Sequence, residues 1–278
     1  MMFPSEEIVS RIERAEANLI REGIEASSAR QANACSFCLD IGGGIAGFGE
    51  AGSPLNKVTG IGLGRDISEE EIARVEEAYH RVECPVQVEL STHASPSVGE
   101  LLTSRGYALK GFECVVGCDP ARCEVGGSES GVTIERLDGD IEEWIRVIVE
   151  GFLAPDAQGM PTHERFPRDV LERIIRDLAA CESKRQYLAM REGVAAGGAS
   201  VRFDRDGVAQ FCGASTLPEH RRRGVQSALI RARMHDAIER GCTIATTTVQ
   251  ARSKSMENMM RFGFGLLYAR AVLVREWV

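Results

Sequence analysis

The chain has no apolar run long enough to span a bilayer, so the sequence carries no membrane-spanning helix. The first segment, PSEEIVSRIERAEANLIREGI, is amphipathic but too charged for a signal peptide. Positive charge is in deficit. Lys and Arg number 33 against 41 Asp and Glu, a formal net charge of −8. That balance argues against general affinity for nucleic acid and favours a cationic substrate by long-range steering. Cysteine is present nine times, an odd count without a framework of spacings. Cys35 and Cys38 form a CxxC that lacks a second pair and a clustered His, so zinc or a redox couple has no complete donor set. Cys114, Cys212 and Cys242 lie inside apolar strand runs, where thiols act as small hydrophobes. All nine are read as reduced, no metal is expected, and the composition suits a cytoplasmic enzyme with two hydrophobic cores.

What stands out is Pro218 to Ile230, PEHRRRGVQSALI. The run before it, VAQFCGAST (208–216), reads as a buried strand. The run after it places Val225, Ala228, Leu229, Ala232, Met234, Ala237 and Ile238 on one helical face. The segment is therefore strand, short basic turn, helix, with Gly224 at the helix start. The first turn of a helix leaves backbone N–H groups without partners, and its dipole end is positive. A glycine there lets an anion approach the backbone, so the turn is a phosphate cradle. Arg221, Arg222 and Arg223 add charge that suits a pyrophosphate. The same three residues also read as a solvated charge run or a nucleic-acid patch.

This turn resembles the acetyl-CoA loop of the GNAT N-acetyltransferases, which carries Gln or Arg, two variable residues, Gly, one variable residue, then Gly or Ala. Arg221, Gly224 and Val225 fit, and Gln226 stands where the family has a small residue. The context extends the resemblance. TIATTTVQ reads as a strand, Ser255 to Arg261 as a short helix, and Gly263 as its C-cap. Gly263-Phe264 and the strand LLYARAVLVREW then match the family's closing pattern. Upstream come a strand at 131–137, a helix at 141–152, a polar loop, a helix at 170–180 and a hairpin turning near Glu192-Gly193. The resemblance covers residues 130–278.

Residues 1–120 are enough for a core of their own. They hold the first helix, Gly-rich apolar strands, the helix DISEEEIARVEEAYHRV, the alternating strand PVQVELST and a closing helix, Arg105-Gly106-Tyr107 and strand. That closing pattern repeats Met260 to Leu267, so the halves read as two copies of one fold. The first copy lacks a cradle. Asp66, Glu69, Glu70 and Glu71 stand at its helix start and would repel a pyrophosphate. The glycines of DIGGGIAGFGE lack the spacing into a helix that a dinucleotide site requires. The expected fold is α/β: two GNAT-like halves, each a mostly antiparallel mixed sheet flanked by helices. The expected division is a degenerate domain at 1–124 and a cofactor-binding, catalytic domain at 125–278.

The resemblance implies acetyl transfer from acetyl-CoA directly to an amine. The backbone of Ala214, Ser215, Thr216 and Leu217 would pair with the pantetheine arm. The amides of Arg222, Arg223, Gly224, Val225, Gln226 and Ser227 would hold the pyrophosphate. Ser255 and Asn258 would hydrogen-bond the arm, or face solvent. Acid and base do not carry over. Met259 stands where the family often has a Tyr, and neither FCGAST nor TIATTTVQ has a carboxylate. Tyr268 is the candidate acid, set against a half-buried strand tyrosine. His163, which titrates near neutrality, is the candidate base, beside Asp156 and Glu164 in the same loop. The expected acceptor is a primary amine of a small molecule or a peptide N-terminus, with neither nucleic acid nor membrane as partner. A non-catalytic acetyl-CoA-binding regulator is the alternative. The sequence gives no oligomeric state.

Overall fold

Ser5 starts the first helix, α1 (Glu6–Arg30), by accepting a hydrogen bond from the Ile8 amide. β1 (Phe37–Ile41) and β2 (Gly44–Phe48) form a hairpin, followed by β3 (Lys57–Thr59). Ser68 and Glu71 close a reciprocal capping box on α2 (Glu69–Arg81). β4 (Val86–Ser91), α3 (Pro96–Ser104) and β5 (Ala108–Cys118) complete this half. The other half runs β6 (Val132–Leu137), α4 (Glu142–Leu153), α5 (Arg168–Ala179), β7 (Lys184–Arg191), β8 (Val194–Phe203) and β9 (Val208–Thr216). It ends with α6 (Val225–Glu239), β10 (Ile244–Val249), α7 (Lys254–Arg261) and β11 (Gly265–Arg275). This computed structural model describes residues 2–31, 35–123, 126, 131–160 and 164–277.

The chain divides into two compact units. The first comprises Pro4–Cys114, Pro161–Val170 and Tyr268–Val278, the second Met1–Phe3, Val115–Met160 and Leu171–Leu267. These units are discontinuous along the chain, whereas the expected division is a single cut at 124/125. The reason is the length of the closing strands, eleven residues each, whose two ends pack with different neighbours. Arg270–Arg275 of β11 pair with β4, whereas Leu267 packs against Gly117 of β5.

In the first unit the strand order is β1-β2-β3-β4-β11-β5, antiparallel at β1–β2, β2–β3 and β4–β11 but parallel at β3–β4. Gly44 lets β2 and β3 close up, since a Cβ there would lie 2.0 Å from the Thr59 carbonyl oxygen. One face of this sheet buries Ile41, Phe48, Val58, Ile72, Val88, Leu102 and Tyr79, whose hydroxyl donates to the Gly47 carbonyl at 2.5 Å. A second group of buried side chains is polar: Glu13 on α1, Glu89 on β4, and Tyr268 and Arg270 on β11.

In the second unit the order is β6-β7-β8-β9-β10-β5-β11, antiparallel from β6 to β9 and parallel at β9–β10. α4 packs on β8 and β9, where the Trp144 indole donates to the Ala199 carbonyl at 3.2 Å. α6 packs on β6 to β9 through Val225, Leu229, Met234 and Ala237. Ile238, expected on that face, is 42% exposed. Asp236 takes the buried place instead, accepting from the Tyr187 hydroxyl at 2.6 Å and pairing with Arg136 and Arg185. The helical stripe is thus partly polar, which apolar periodicity alone does not reveal. The mixed α/β fold, with helices flanking a mixed sheet, is the one expected.

Candidate functional site

Two neighbouring features of the second unit define the site: the turn before α6 and the parting of β9 from β10. Gly224 is the N-cap of α6, at φ +83°, and no side chain caps the helix. Arg222, at φ +59°, is a second left-handed position two residues earlier. Such turns bring successive N–H groups into a concave row. Among the described residues, the amides of 222–227 donate to no group of the chain. Arg222 and Arg223 are exposed and have no ion-pair partner among the described residues. Arg221 is different. Its guanidinium donates to the Ala154 carbonyl and, at 3.4 Å, to the Thr216 carbonyl, tying the turn to the ends of α4 and β9.

The helix start is fixed by packing. Val225 is buried over Gly197 of β8, where a Cβ would lie 2.6 Å from the valine Cγ1. The row of free donors therefore sits on a rigid base at the end of the sheet. Free donors, a helix dipole and two unpaired guanidinium groups together suit a multiply charged anion such as a pyrophosphate.

β9 and β10 pair over only three positions, Ile244↔Val208, Ala245↔Ala209 and Thr246↔Gln210. Beyond Gln210 the strands part, while β9 stays paired with β8 as far as Thr216. The register of β8 against β9 shifts between Gly198 and Ser200, and Gly213 adopts φ +53° there. This is a β-bulge, which bends a strand and re-aims its backbone. The edge of β9 from Phe211 to Thr216 is left for an extended ligand arm. Ala214 is exposed, and Ser215 turns its hydroxyl to the Val147 carbonyl at 2.9 Å. Thr216 is half-buried and Leu217 is buried, its amide bonded to the Ala196 carbonyl at 3.0 Å. These four residues offer backbone rather than side-chain chemistry.

Ser255 and Asn258 face α6, not solvent. The Asn258 amide donates to Gln226 Oε1, and Gln226 Nε2 donates to Ser255 Oγ at 3.3 Å. The residue that departs from the family's loop thus takes up both side chains expected to meet the cofactor arm. This partnership between loop and helix has no local signal in the sequence.

The catalytic candidates fare less well. Tyr268 lies in the first unit. Its hydroxyl is buried and donates to Glu13 Oε1 at 2.6 Å. Burial and the nearby Glu13 carboxylate hold that phenol well above its ordinary range. The hydroxyl expected to serve as the acid is thus engaged within the fold, as the alternative of a strand tyrosine requires. Residues 161–163, and with them His163, lie outside the described residues. Glu164 accepts from Gln87 at 2.9 Å in the first unit, and Asp156 accepts from the Gln158 amide at 3.1 Å within its own loop. Met259 is buried at 2% exposure, where the family pattern has its tyrosine.

In the first unit, the start of α2 is arranged differently. Ser68 caps α2, and Glu71 both bonds the Ser68 amide and pairs with Arg65 at 2.7 Å. Those bonds pull the Glu71 carboxyl down to about 2. The helix start is already occupied by its own carboxylate.

The profile of the Acetyltransferase (GNAT) family matches residues 152–264, which include both the turn and the parting strands. No curated protein matches the chain. Among solved structures, a GCN5-related N-acetyltransferase from Kribbella flavida is similar over 94% of this chain and 96% of its own, with TM-score 0.66 at 16% identity. A tandem GNAT protein from the clavulanic acid biosynthesis pathway is similar over 91% and 87%, with TM-score 0.61 at 14% identity. A GCN5-related N-acetyltransferase from Sphaerobacter thermophilus is similar over 74% and 67%, with TM-score 0.55 at 16% identity. The chain has the GNAT fold, and its residues 152–264 match the acetyltransferase (GNAT) family.

Proposed function

We propose that the protein transfers an acetyl group from acetyl-CoA to a primary amine of a small molecule or a peptide N-terminus. The observation that carries this reading is the row of free amides at 222–227, set at the open end of the β9–β10 parting. The amides and Arg222 and Arg223 would hold the pyrophosphate. The backbone from Ala214 to Leu217, along the free edge of β9 and one residue past it, would pair with the pantetheine arm and bring the thioester into the parting. There the neutral amine attacks the thioester carbonyl and forms the C–N bond, the oxyanion is met by backbone donors, the C–S bond breaks as the carbonyl re-forms, and the proton shed by nitrogen passes through water to the departing thiolate. The net charge of −8 favours approach of a cationic amine, which must lose a proton before attack.

Among the described residues, no helix is long and apolar enough to cross a membrane. Nucleic acid is disfavoured as a partner, because Arg221 of the basic run is already spent on backbone carbonyls. A second reading has its own support. Met259 replaces the usual phenol and the Tyr268 hydroxyl is bound to Glu13, as in a protein that binds acetyl-CoA without turning it over.

Calorimetry with acetyl-CoA, followed by release of free CoA thiol across a panel of primary amines, tests both. Binding with turnover is the expected result. Binding without turnover on any amine leaves the regulator, and no binding overturns the assignment of the cradle.

A further inference from the structure

The side chain at 226 stands at the second position of α6, where the family's loop has Gly or Ala. Its amide N–H belongs to the cradle row, while its carboxamide reaches α7. Gln226 Oε1 accepts from Asn258 Nδ2, and Gln226 Nε2 donates to Ser255 Oγ. Both ends of one carboxamide are thus satisfied by residues three apart on one face of α7. Asn258 is 9% exposed, and its Oδ1 accepts from Arg261 at 3.1 Å, so its amide is fixed from both sides. On the opposite face of α7, Met256 and Met260 line an open groove of about 520 Å³ with Arg252 and Glu257, so that face gives the helix little packing. Four residues ahead of α7, β10 has no strand partner on its β9 side, because pairing stops at Thr246.

We infer that Gln226 is a positioning residue that fastens α7 to the first turn of α6 and couples α7 to occupancy of the phosphate cradle. This rests on the cradle reading above. An anion bound by the amides of 222–227 orders the first turn of α6, and the carboxamide passes that order to α7. A small residue at 226 leaves α7 without a polar tie to the cradle. The same bonds keep Ser255 and Asn258 from the cofactor arm, so the arm relies on backbone donors of β9.

Hydrogen exchange on the full chain tests this, reading peptides over 225–239 and 254–261 with and without coenzyme A. The variants are Gln226→Ala and Gln226→Glu, the latter retaining an acceptor for Asn258. Without ligand, Gln226→Ala should speed exchange in 254–261 roughly tenfold, the loss of about one net hydrogen bond, while 225–239 changes little. Gln226→Glu should keep the slow exchange. In the wild type, coenzyme A should slow exchange in both peptides, and in Gln226→Ala only in 225–239. Unchanged exchange of 254–261 in the unliganded Gln226→Ala protein overturns the fastening. Ligand protection of 254–261 that survives in Gln226→Ala overturns the coupling. If coenzyme A protects neither peptide of the wild type, the cradle reading and the coupling fail together, and the unliganded comparison still decides the fastening.

Discussion

The Tyr268 hydroxyl donates to Glu13 Oε1 at 2.6 Å, joining the last strand to the first helix. Arg270 Nε donates to the same oxygen at 2.8 Å, and all three side chains are buried. The other Glu13 oxygen, Oε2, is buried with no hydrogen-bond partner among the described residues, so the tyrosine supplies one of few bonds that compensate a desolvated carboxylate. A phenol committed in this way holds its proton in place rather than exchanging it with a leaving thiolate.

Tyr268→Phe should therefore cost stability and spare turnover. Removing a hydrogen bond to a charged acceptor costs about 1.5–3 kcal/mol, which corresponds to a fall of several degrees in the thermal midpoint. Acetyl-CoA turnover should stay within about threefold of wild type. A drop of a hundredfold or more with an unchanged midpoint, the size of a general-acid contribution, would reverse the assignment and make Tyr268 the acid.

Gly224→Glu should abolish acetyl-CoA binding. Gly224 adopts φ +83°, a conformation L side chains rarely take, and a carboxylate there faces the position of the pyrophosphate. Losing several charge-assisted hydrogen bonds at about 1.5–3 kcal/mol each weakens binding by orders of magnitude. Calorimetry on a variant with wild-type circular dichroism gives the answer, and unaltered affinity would remove the cradle from the mechanism.

The strand, turn and helix around Gly224 were legible because their signal is local. Gly224, the basic run and the apolar spacing of Val225, Ala228 and Leu229 lie within nine residues, and each demands a particular backbone. The order of strands and helices in the second half was legible for the same reason. Three things were not. The destination of the closing strands depends on which neighbours their two ends find, and β5 and β11 each reach two units. The role of Gln226 depends on Asn258, 32 residues away, so a position that looks like a flaw in a motif is a tie between helices. Tyr268 could not be oriented, because a one-residue slip in strand register turns a side chain to the opposite face. In the fold it shares a buried cluster with Glu13, 255 residues earlier.

Glu113 gives the first unit a pH dependence. Burial, then the neighbouring Glu89 carboxylate, push its carboxyl up to about 7, against the opposing pull of Lys57 and Arg270, with Glu164 adding to the rise. Glu89 itself is held below the ordinary range by Lys57 and Arg270 and stays charged. A carboxyl raised in the folded state stabilises the protein fully below its unfolded value of 4.5, and that stability is lost as pH rises through about 7. The thermal midpoint should therefore fall between pH 5 and pH 8, by an amount that corresponds to at most roughly 3 kcal/mol. Glu113→Gln should flatten this slope and stabilise the protein at pH 8. A variant with the same slope as wild type would place the titration elsewhere.

Gly151 is where α4 meets β9, and it decides whether the backbone of 214–217 is held in place. A Cβ at this position would lie 2.4 Å from Ser215 Cβ and 2.5 Å from Ser215 Oγ, closer than such atoms approach. Two effects compete in Gly151→Ala. Helix propensity favours alanine by about 1 kcal/mol. Overpacking costs about 1–3 kcal/mol, and here the obstacle is a Cβ on a strand, not the movable end of a long side chain. The hydroxyl of Ser215 is also bonded to the Val147 carbonyl at 2.9 Å, so displacement breaks that bond too. The clash should win. Gly151→Ala should lower the thermal midpoint by a few degrees and weaken acetyl-CoA binding about tenfold, as β9 shifts under α4. The double variant Gly151→Ala, Ser215→Gly removes the obstructing atoms and leaves Ser215 Cα, at 3.5 Å, as the nearest contact. It should recover most of the affinity, and the double-mutant cycle should show a coupling of about 1 kcal/mol or more. Wild-type midpoint and affinity in the single alanine variant would show that α4 can slide on β9, and that this contact does not hold the ligand-binding edge of the strand.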